Sequence, residues 1–305
     1  MSLDSFIPQL WADTLLVALR KQLVFANLCN RDYEGQIRQM GDTVRISGIG
    51  QITVNDYVKD TDINAPESLT DAQTMLTISQ AKYYNFAVDD VDQAQQNPKV
   101  MTEAMSYAAY QVSDTIDQYV AGFYTDAPSA NTIGTSAAPI TVTAPTQTNI
   151  AGGTTVYDEL VNLGQYLTQN NVPMMGRWAV IPPWCATYLA LDLRFSSFNT
   201  AQANARLASG SPATDNAYYL GKIAGFGDVY QSNNAHHVSG TAGQANSVDV
   251  VLAGHSMALS FAEGLAKTEA YRPPLRFSDA VKGLCLYGAK TVRPQALAVA
   301  FLKHP

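Results

Sequence analysis

The chain has 305 residues, of which 47% are hydrophobic and only 15% charged, with a formal net charge of −7. That length allows one large domain or two and a sizeable buried core, while the charged share falls well below the ~25% usual for globular proteins. A shortage of charge fits either surface that faces other protein or solvation by neutral Asn, Gln, Ser and Thr, and Lys/Arg clusters no larger than the pair Arg20-Lys21 argue against tight phosphate-backbone binding.

In chain order, the first element is an amphipathic helix, Pro8 to Phe25, with Leu10, Trp11, Leu15, Leu19 and Leu23 at three- to four-residue steps. A polar joint, Asn30-Arg-Asp-Tyr-Glu-Gly35, leads into a two-stranded β ribbon running out from about Asp42 to Tyr57 and back from about Gln73 to Gln80. The ribbon alternates through Val44, Ile46, Ile52, Val54, Leu76 and Ile78. Its middle, Lys59 to Ser68, is polar and rich in turn formers, and Gly48 and Gly50 suggest a bulge. Asn97-Pro98 then starts the longest periodic helix, with Met101, Ala104, Ala108, Val112, Ile116, Tyr119 and Phe123 on one face. After the Ala/Thr/Ser/Gly-rich stretch from Pro128 to Gly153, which holds a short strand at Ile140 to Thr143, a second unit is expected. It begins with a helix marked by Val156, Leu160, Leu163 and Leu167, then a strand Trp178–Ile181 and a helix from Pro182-Pro183. Strands at Gly227–Tyr230 and Val248–Leu252 follow, then a helix-like segment, and strands in the tail from Thr268 to Val292, including Leu284–Tyr287 and Lys290–Arg293. The fold class is α+β.

A lone helix and hairpin cannot bury their apolar sides unaided, since two strands without a third are marginal in water. The first ninety residues therefore need neighbours, either the rest of the chain or other copies of it.

Motifs for chemistry are weak. The stretch Val250 to Ala258 runs a strand into Gly254-His255-Ser256-Met257, which imitates the nucleophile elbow of the α/β-hydrolases. That reading makes Ser256 the nucleophile of a serine esterase. However, alanine replaces the last glycine, and the only histidine after the serine is His304. The simpler reading is a strand–helix junction with Ser256 near the helix start. His236-His237 have only Asp228 as a nearby acid and read as a solvated loop, not a metal site. Asp89-Asp90-Val-Asp92 lacks the spacing and glycine of a calcium loop and reads as carboxylates at a helix start. Cys29, Cys185 and Cys285 are far apart in apolar settings and read as small buried hydrophobes. No phosphate-cradling or dinucleotide glycine pattern occurs. No catalytic, cofactor or metal residue is assigned, and no apolar run reaches the ~18 residues of a membrane span.

The order of these segments resembles the major capsid proteins of tailed bacteriophages. The amphipathic arm, Asn30-Arg-Asp-Tyr-Glu-Gly35, Gly41-Asp-Thr-Val-Arg-Ile46, the ribbon and the long helix carry the likeness. So do Ala81-Lys-Tyr-Tyr-Asn-Phe-Ala-Val-Asp-Asp90, Gly225-Phe-Gly-Asp-Val-Tyr-Gln-Ser-Asn-Asn234, Lys267-Thr-Glu-Ala-Tyr-Arg272 and Tyr287-Gly-Ala-Lys-Thr-Val-Arg-Pro294. The resemblance implies the Johnson fold, shared with encapsulins. It maps residues 1–31 to an N-terminal arm, 32–80 to an extended β-hairpin loop, 81–153 and 267–305 to a peripheral domain with a spine helix at about 98–124, and 154–266 to an axial domain.

It also implies a structural, non-enzymatic protein that assembles with itself into the pentamers and hexamers of an icosahedral head. Such a head encloses double-stranded DNA without sequence-specific binding, and the mild acidity suits a non-adhesive wall. A portal and a separate scaffolding protein are the other expected partners, because no charged helical region precedes the arm. The protein would be made in the host bacterial cytoplasm and end in the virion, with no cofactor and no membrane partner. An encapsulin-like compartment is the alternative on the same fold. On this reading Trp11, Leu15, Leu16, Leu19, Val44, Ile46, Ile52, Val54, Leu76 and Ile78 bury apolar area between subunits, about 1.5–3 kcal/mol for each fully covered side chain. Multivalency in a closed shell would multiply such contacts. Lys59 falls in the stretch where some members of this fold crosslink to a neighbour's asparagine.

Overall fold

The computed structural model describes residues 24–33, 43–49, 54, 56, 59, 62, 71–89, 100–144, 154–191, 219–240, 243–275 and 278–305. The expected first helix with Trp11, Leu15, Leu16 and Leu19, together with Ile52, Gly50, Asp90 to Asp92 and the polar loop 199–216, lies outside them.

The body is built around an eight-stranded sheet. Its main path runs β4 (Thr132–Ile133), β13 (Leu297–Lys303), β10 (Val248–His255), β6 (Arg177–Ile181), β8 (Phe226–Gln231) and β7 (Tyr219–Ile223). β5 (Ile140–Thr141) continues along β13, and β9 (His237–Ser239) lies beside the start of β10. β10 is antiparallel to both β13 and β6, and every one of its residues is buried. A strand covered on both faces reads as a mostly apolar run, as Val248–Leu252 does apart from the buried Asp249.

The period of two then sorts side chains into two cores. Trp178, Val180, Val250, Leu252, Val299 and Phe301 point to one side. Ala179, Ile181, Val251, Ala253, Ala300 and Leu302 point to the other. The first core is capped by α2 (Val100–Ala121), through Met105, Ala109, Val112, Ile116 and Val120. The second is capped by α3 (Val156–Gln169) and α4 (Pro183–Leu191). In α3 the expected Val156, Leu160, Leu163 and Leu167 are all buried. Thr155 opens that helix with a capping box: its hydroxyl accepts from Asp158 N at 3.3 Å, and its own N–H donates to the Asp158 carboxylate at 3.2 Å. At the other end, the buried Arg177 guanidinium donates to Gly164 O (3.1 Å), Thr168 Oγ1 (2.9 Å) and Pro173 O (2.9 Å), placing a cation on the negative end of the helix.

α2 also packs on a three-stranded sheet, β11 (Leu259–Tyr271), β12 (Ser278–Thr291) and β3 (Gln80–Asp89), paired in that order. Val281, Cys285, Tyr287 and Ala289 of β12 face the helix. The long-helix face agrees with the expected one at the buried Val112 and Ile116 and differs around them: Met105, Ala109 and Val120 are buried, whereas Ala108, Tyr119 and Phe123 are half-buried. The α-helix also ends at Ala121, passing into a 3-10 turn at Gly122–Asp126.

Three expectations are corrected here. The helix-like segment after Leu252 is a turn at Ser256-Met257, closed by Ala258 N donating to His255 O at 2.9 Å, followed by the long strand β11. The stretch Ser-Met-Ala-Leu-Ser-Phe-Ala-Glu has ordinary helix formers, but pairing along twelve registered positions of β12 overrides that local preference. The strands expected at Leu284–Tyr287 and Lys290–Arg293 are one strand, β12, which ends at Thr291. Finally, Leu297–Lys303, assigned by the resemblance to the peripheral part, sits inside the eight-stranded sheet, between β4 and β5 of the 81–153 region and β10 of the 154–266 region.

Candidate assembly surface

The ribbon exists as β1 (Thr43–Ile49) paired antiparallel with β2 (Asp71–Thr77), in unbroken register from Thr43↔Thr77 to Ile49↔Asp71. Gly48 pairs with Ala72 within that register, so it forms no bulge. Alternation gives the ribbon two faces. Val44, Ile46, Leu76 and Ile78 face inward, while Thr43, Arg45, Gln73, Met75 and Thr77 are exposed.

The inward face does not wait for another subunit. Leu76 and Ile78 are 0% and 2% exposed, packed with Ala262 and Leu286 of the three-stranded sheet, and Val44, Ile46 and Tyr33 lie against them. Gly288 makes the crossing possible: a Cβ there would collide with the carbonyl oxygen of Thr77 and lie 3.0 Å from Ile78 Cα. Leu76 and Ile78, expected at contacts between copies, are thus buried inside their own chain. Alternation shows that one face seeks burial, but not whether the cover is internal or external. Val54, at 92% exposure, and Lys59 are open.

The N-terminal segment is likewise anchored sooner than expected. Residues placed in the arm up to Arg31 enter the body at Val24: Phe25 and Ala26 are buried in the first core within the short helix α1 (Phe25–Leu28). Asn30 bridges into β11, donating to Leu259 O at 2.8 Å and accepting from Phe261 N at 2.9 Å. Arg31 lies over the Phe261 ring at 5.1 Å and pairs with Glu263 at 3.4 Å.

What the described residues leave uncovered is apolar in several places. On the sheet face beside the ribbon base, Tyr83 is 80% exposed opposite Leu284, next to the Lys282–Glu269 pair and the Asn85–Tyr271 hydrogen bond. Tyr83, Asn85, Glu269, Lys282 and Leu284 line a depression of about 370 Å³. A second depression, of about 560 Å³, opens between Met174-Met175 and the β7–β8 turn, near Lys222 and Asp228. Leu275 stands fully out of the β11–β12 connection, and Tyr107 and Tyr110 stand out of the long helix. Met75, Tyr83 and Leu275 were missed in the sequence because each sits on the otherwise polar side of its strand or in a turn; the signal was the same alternation, read for its outward positions.

Among the described residues, the nucleophile-elbow reading of Ser256 does not assemble. The register of β10 with β13 sets Gly254 opposite Leu297 and Val248 opposite Lys303, so Ser256 and His304 stand at opposite ends of one strand pair, on the order of 25 Å apart at ~3.3 Å per residue. The imidazole of His255 instead braces the turn, meeting Met175 O at 2.9 Å and accepting from Met257 N at 3.1 Å. His236 stacks on Tyr124 at 4.5 Å between ring centres, and His237 Nδ1 meets Asp249 at 2.8 Å. Asp249 also accepts from Trp184 Nε1 (2.7 Å) and Ser247 Oγ (3.1 Å), an acid the sequence reading did not connect with the histidines. That hydrogen bond raises the pKa of His237, whereas burial lowers that of His236. Among the described residues no group of His, Cys, Asp and Glu could hold a metal ion. Burial pushes the Cys29 and Cys285 thiols up to about 12 and the Cys185 thiol well above its ordinary value, and all are unbridged. Buried, protonated thiols are inert.

The described residues thus form an α+β body with buried polar networks, a ribbon anchored on its own chain and exposed apolar side chains. A family model for phage capsid proteins matches residues 72–300, and the chain belongs to that family. Among solved structures, a chain from Mycobacterium phage Che8 is 27% identical over 92% of this chain and 91% of its own, with a TM-score of 0.63. The capsid structure of the cyanophage P-SCSP1u matches at 18% identity, covering 93% and 89% of the two chains, with a TM-score of 0.64. A virus-like particle from Pyrococcus furiosus covers 97% of this chain and 99% of its own at 10% identity and a TM-score of 0.52. These likenesses give the Johnson fold of tailed-phage capsids. No curated protein matches the chain.

Proposed function

We propose that this chain is the shell subunit of a tailed-phage head, assembling with itself into pentamers and hexamers of an icosahedral capsid that encloses double-stranded DNA. The family match over residues 72–300 carries the reading. A portal and a scaffolding protein serve assembly, and the protein's place is the virion. The outward side of the ribbon, with Arg45 and Met75, and the tip residues Val54 and Lys59 supply contacts between copies, together with Trp11, Leu15, Leu16, Leu19 and Ile52. Val44 and Ile46 work from below, by fixing the ribbon's base. The division into arm, extended loop, peripheral and axial parts is kept with two changes: the arm ends before Val24, and β13, with β4 and β5 that pair with it, belongs with the axial strands. A second reading on the same fold is an encapsulin-like, cargo-holding compartment; the virus-like particle from Pyrococcus furiosus shares that fold.

Purified protein, followed by light scattering and negative-stain electron microscopy, should form capsomers or closed particles. A monodisperse monomer at every concentration would overturn the proposal. The contents of particles recovered from the native source, DNA or a protein cargo, separate the two readings.

A further inference from the structure

Asp117 sits on the buried side of the long helix and is 3% exposed. Its Oδ1 accepts the backbone N–H groups of both Val24 and Phe25 at 3.1 Å, where the N-terminal segment enters the body. The Ala26 N–H and the Asn234 side chain, from the connection between β8 and β9, complete its partners. One carboxyl therefore ties three separate parts of the chain together. No Lys or Arg pairs with it among the described residues. The titratable groups around it are committed elsewhere. From the docked segment, Arg31 turns to Glu263, and Cys29 stays a thiol that donates to Phe25 O at 3.2 Å. His236, two residues beyond Asn234, stacks on Tyr124. On the same helix Asp114 binds the Gln118 amide at 2.8 Å, and from β12 Tyr287 meets the Tyr119 ring.

We propose that Asp117 is a proton-linked clamp on the N-terminal segment: its neutral carboxyl holds Val24–Arg31 on the long helix more tightly than its carboxylate does. Docking strips water from this carboxyl, a cost that falls mainly on the ionised form. Burial accordingly raises its pKa from 3.8 to about 6, outweighing the opposite pull of the Phe25, Val24, Asn234 and Ala26 hydrogen bonds. The neutral acid keeps a carbonyl oxygen for the backbone N–H groups. Asn234 suits either form, because its amide donates to a carboxylate or, turned over, accepts from an acid proton. When the segment lifts, Asp117 regains water and its ordinary value. Acidification thus favours the docked state, and the linked docking equilibrium gains about tenfold between pH 8 and pH 5. His236 would act in the opposite direction, since burial lowers its pKa and acid then loosens its surroundings.

Hydrogen–deuterium exchange of the full-length chain, corrected for intrinsic rates, tests this on the Val24–Asn30 amides, with β10 amides as the internal standard. The proposal expects protection to rise about tenfold from pH 8 to pH 5. In Asp117→Asn, which mimics the neutral carboxyl, protection should be high and flat with pH, and in His236→Gln the slope should persist. Flat or falling protection in the unmodified chain overturns the proposal without any variant. So does a slope that survives Asp117→Asn.

Discussion

Leu76 and Met75 are neighbours on one strand with opposite fates, and substituting each in turn separates folding from assembly. Leu76 is fully buried beneath the ribbon with Ile78, Ala262 and Leu286, whereas Met75 is 49% exposed on the other face. A buried Leu→Ala change costs about 2–5 kcal/mol, from lost transfer energy plus the cavity left behind. The cluster here is small, and its rim of Tyr33, Val44 and Ile46 can partly collapse, which favours the lower end, about 2–3 kcal/mol. Urea denaturation of unassembled subunits should therefore show Leu76→Ala lowered in midpoint by the order of 0.5–1 M. Met75→Ala should stay within about 0.5 kcal/mol of the unsubstituted chain, as surface changes usually do. Met75→Ala should instead slow assembly at equal subunit concentration. A Leu76→Ala subunit of unchanged stability that cannot assemble would refute the internal anchoring of the ribbon.

Gly288→Ala should destabilise the subunit by about 1–3 kcal/mol, because the new Cβ meets backbone of Thr77 and Ile78 rather than a yielding side chain; an unchanged midpoint would contradict the crossing. Thr155→Ala removes the cap of α3 and should cost about 1 kcal/mol by the same assay, with Thr155→Ser restoring most of it. The His237–Asp249 pair stabilises the fold while the imidazole is charged, so its contribution is complete below the ordinary histidine value of 6.5 and fades as pH rises through the raised one. The stability gap between the unsubstituted chain and His237→Gln should therefore be larger at pH 6 than at pH 8; a gap that widens with pH would contradict the assignment.

Much of the body was legible because its signals are local. The 3.6-residue spacing of Val156, Leu160, Leu163 and Leu167 and the apolar run Val248–Leu252, broken only by Asp249, each describe what the element does within its own length. Errors arose where a distant partner decides. Leu259–Tyr271 is a strand only because β12 lies beside it, and Leu297–Lys303 belongs to a sheet whose other strands come from much earlier in the chain. The long helix was read correctly at Val112 and Ile116 but not at Ala108, since Ala108 and Ala109 are alike to any pattern and only packing selects Ala109. For the assembly surface, the ribbon was visible, but its apolar face was taken for the contact side. The glycine that seats it, Gly288, lies more than two hundred residues away in sequence and carries no pattern. The tie between Asp117 and Val24 is hidden for the same reason, a separation of 93 positions.

The most direct test keeps the ribbon's base and removes its reach. Ile49 and Asp71 are the last registered pair, so residues 50–70 can be replaced by Asn-Gly, a turn suited to joining two antiparallel strands. Negative-stain electron microscopy of this variant beside the unsubstituted chain, at equal concentration, reads the outcome. The account predicts a variant that folds with unchanged urea midpoint yet forms no closed shells, while the unsubstituted chain assembles. Normal shells from the shortened chain would contradict it.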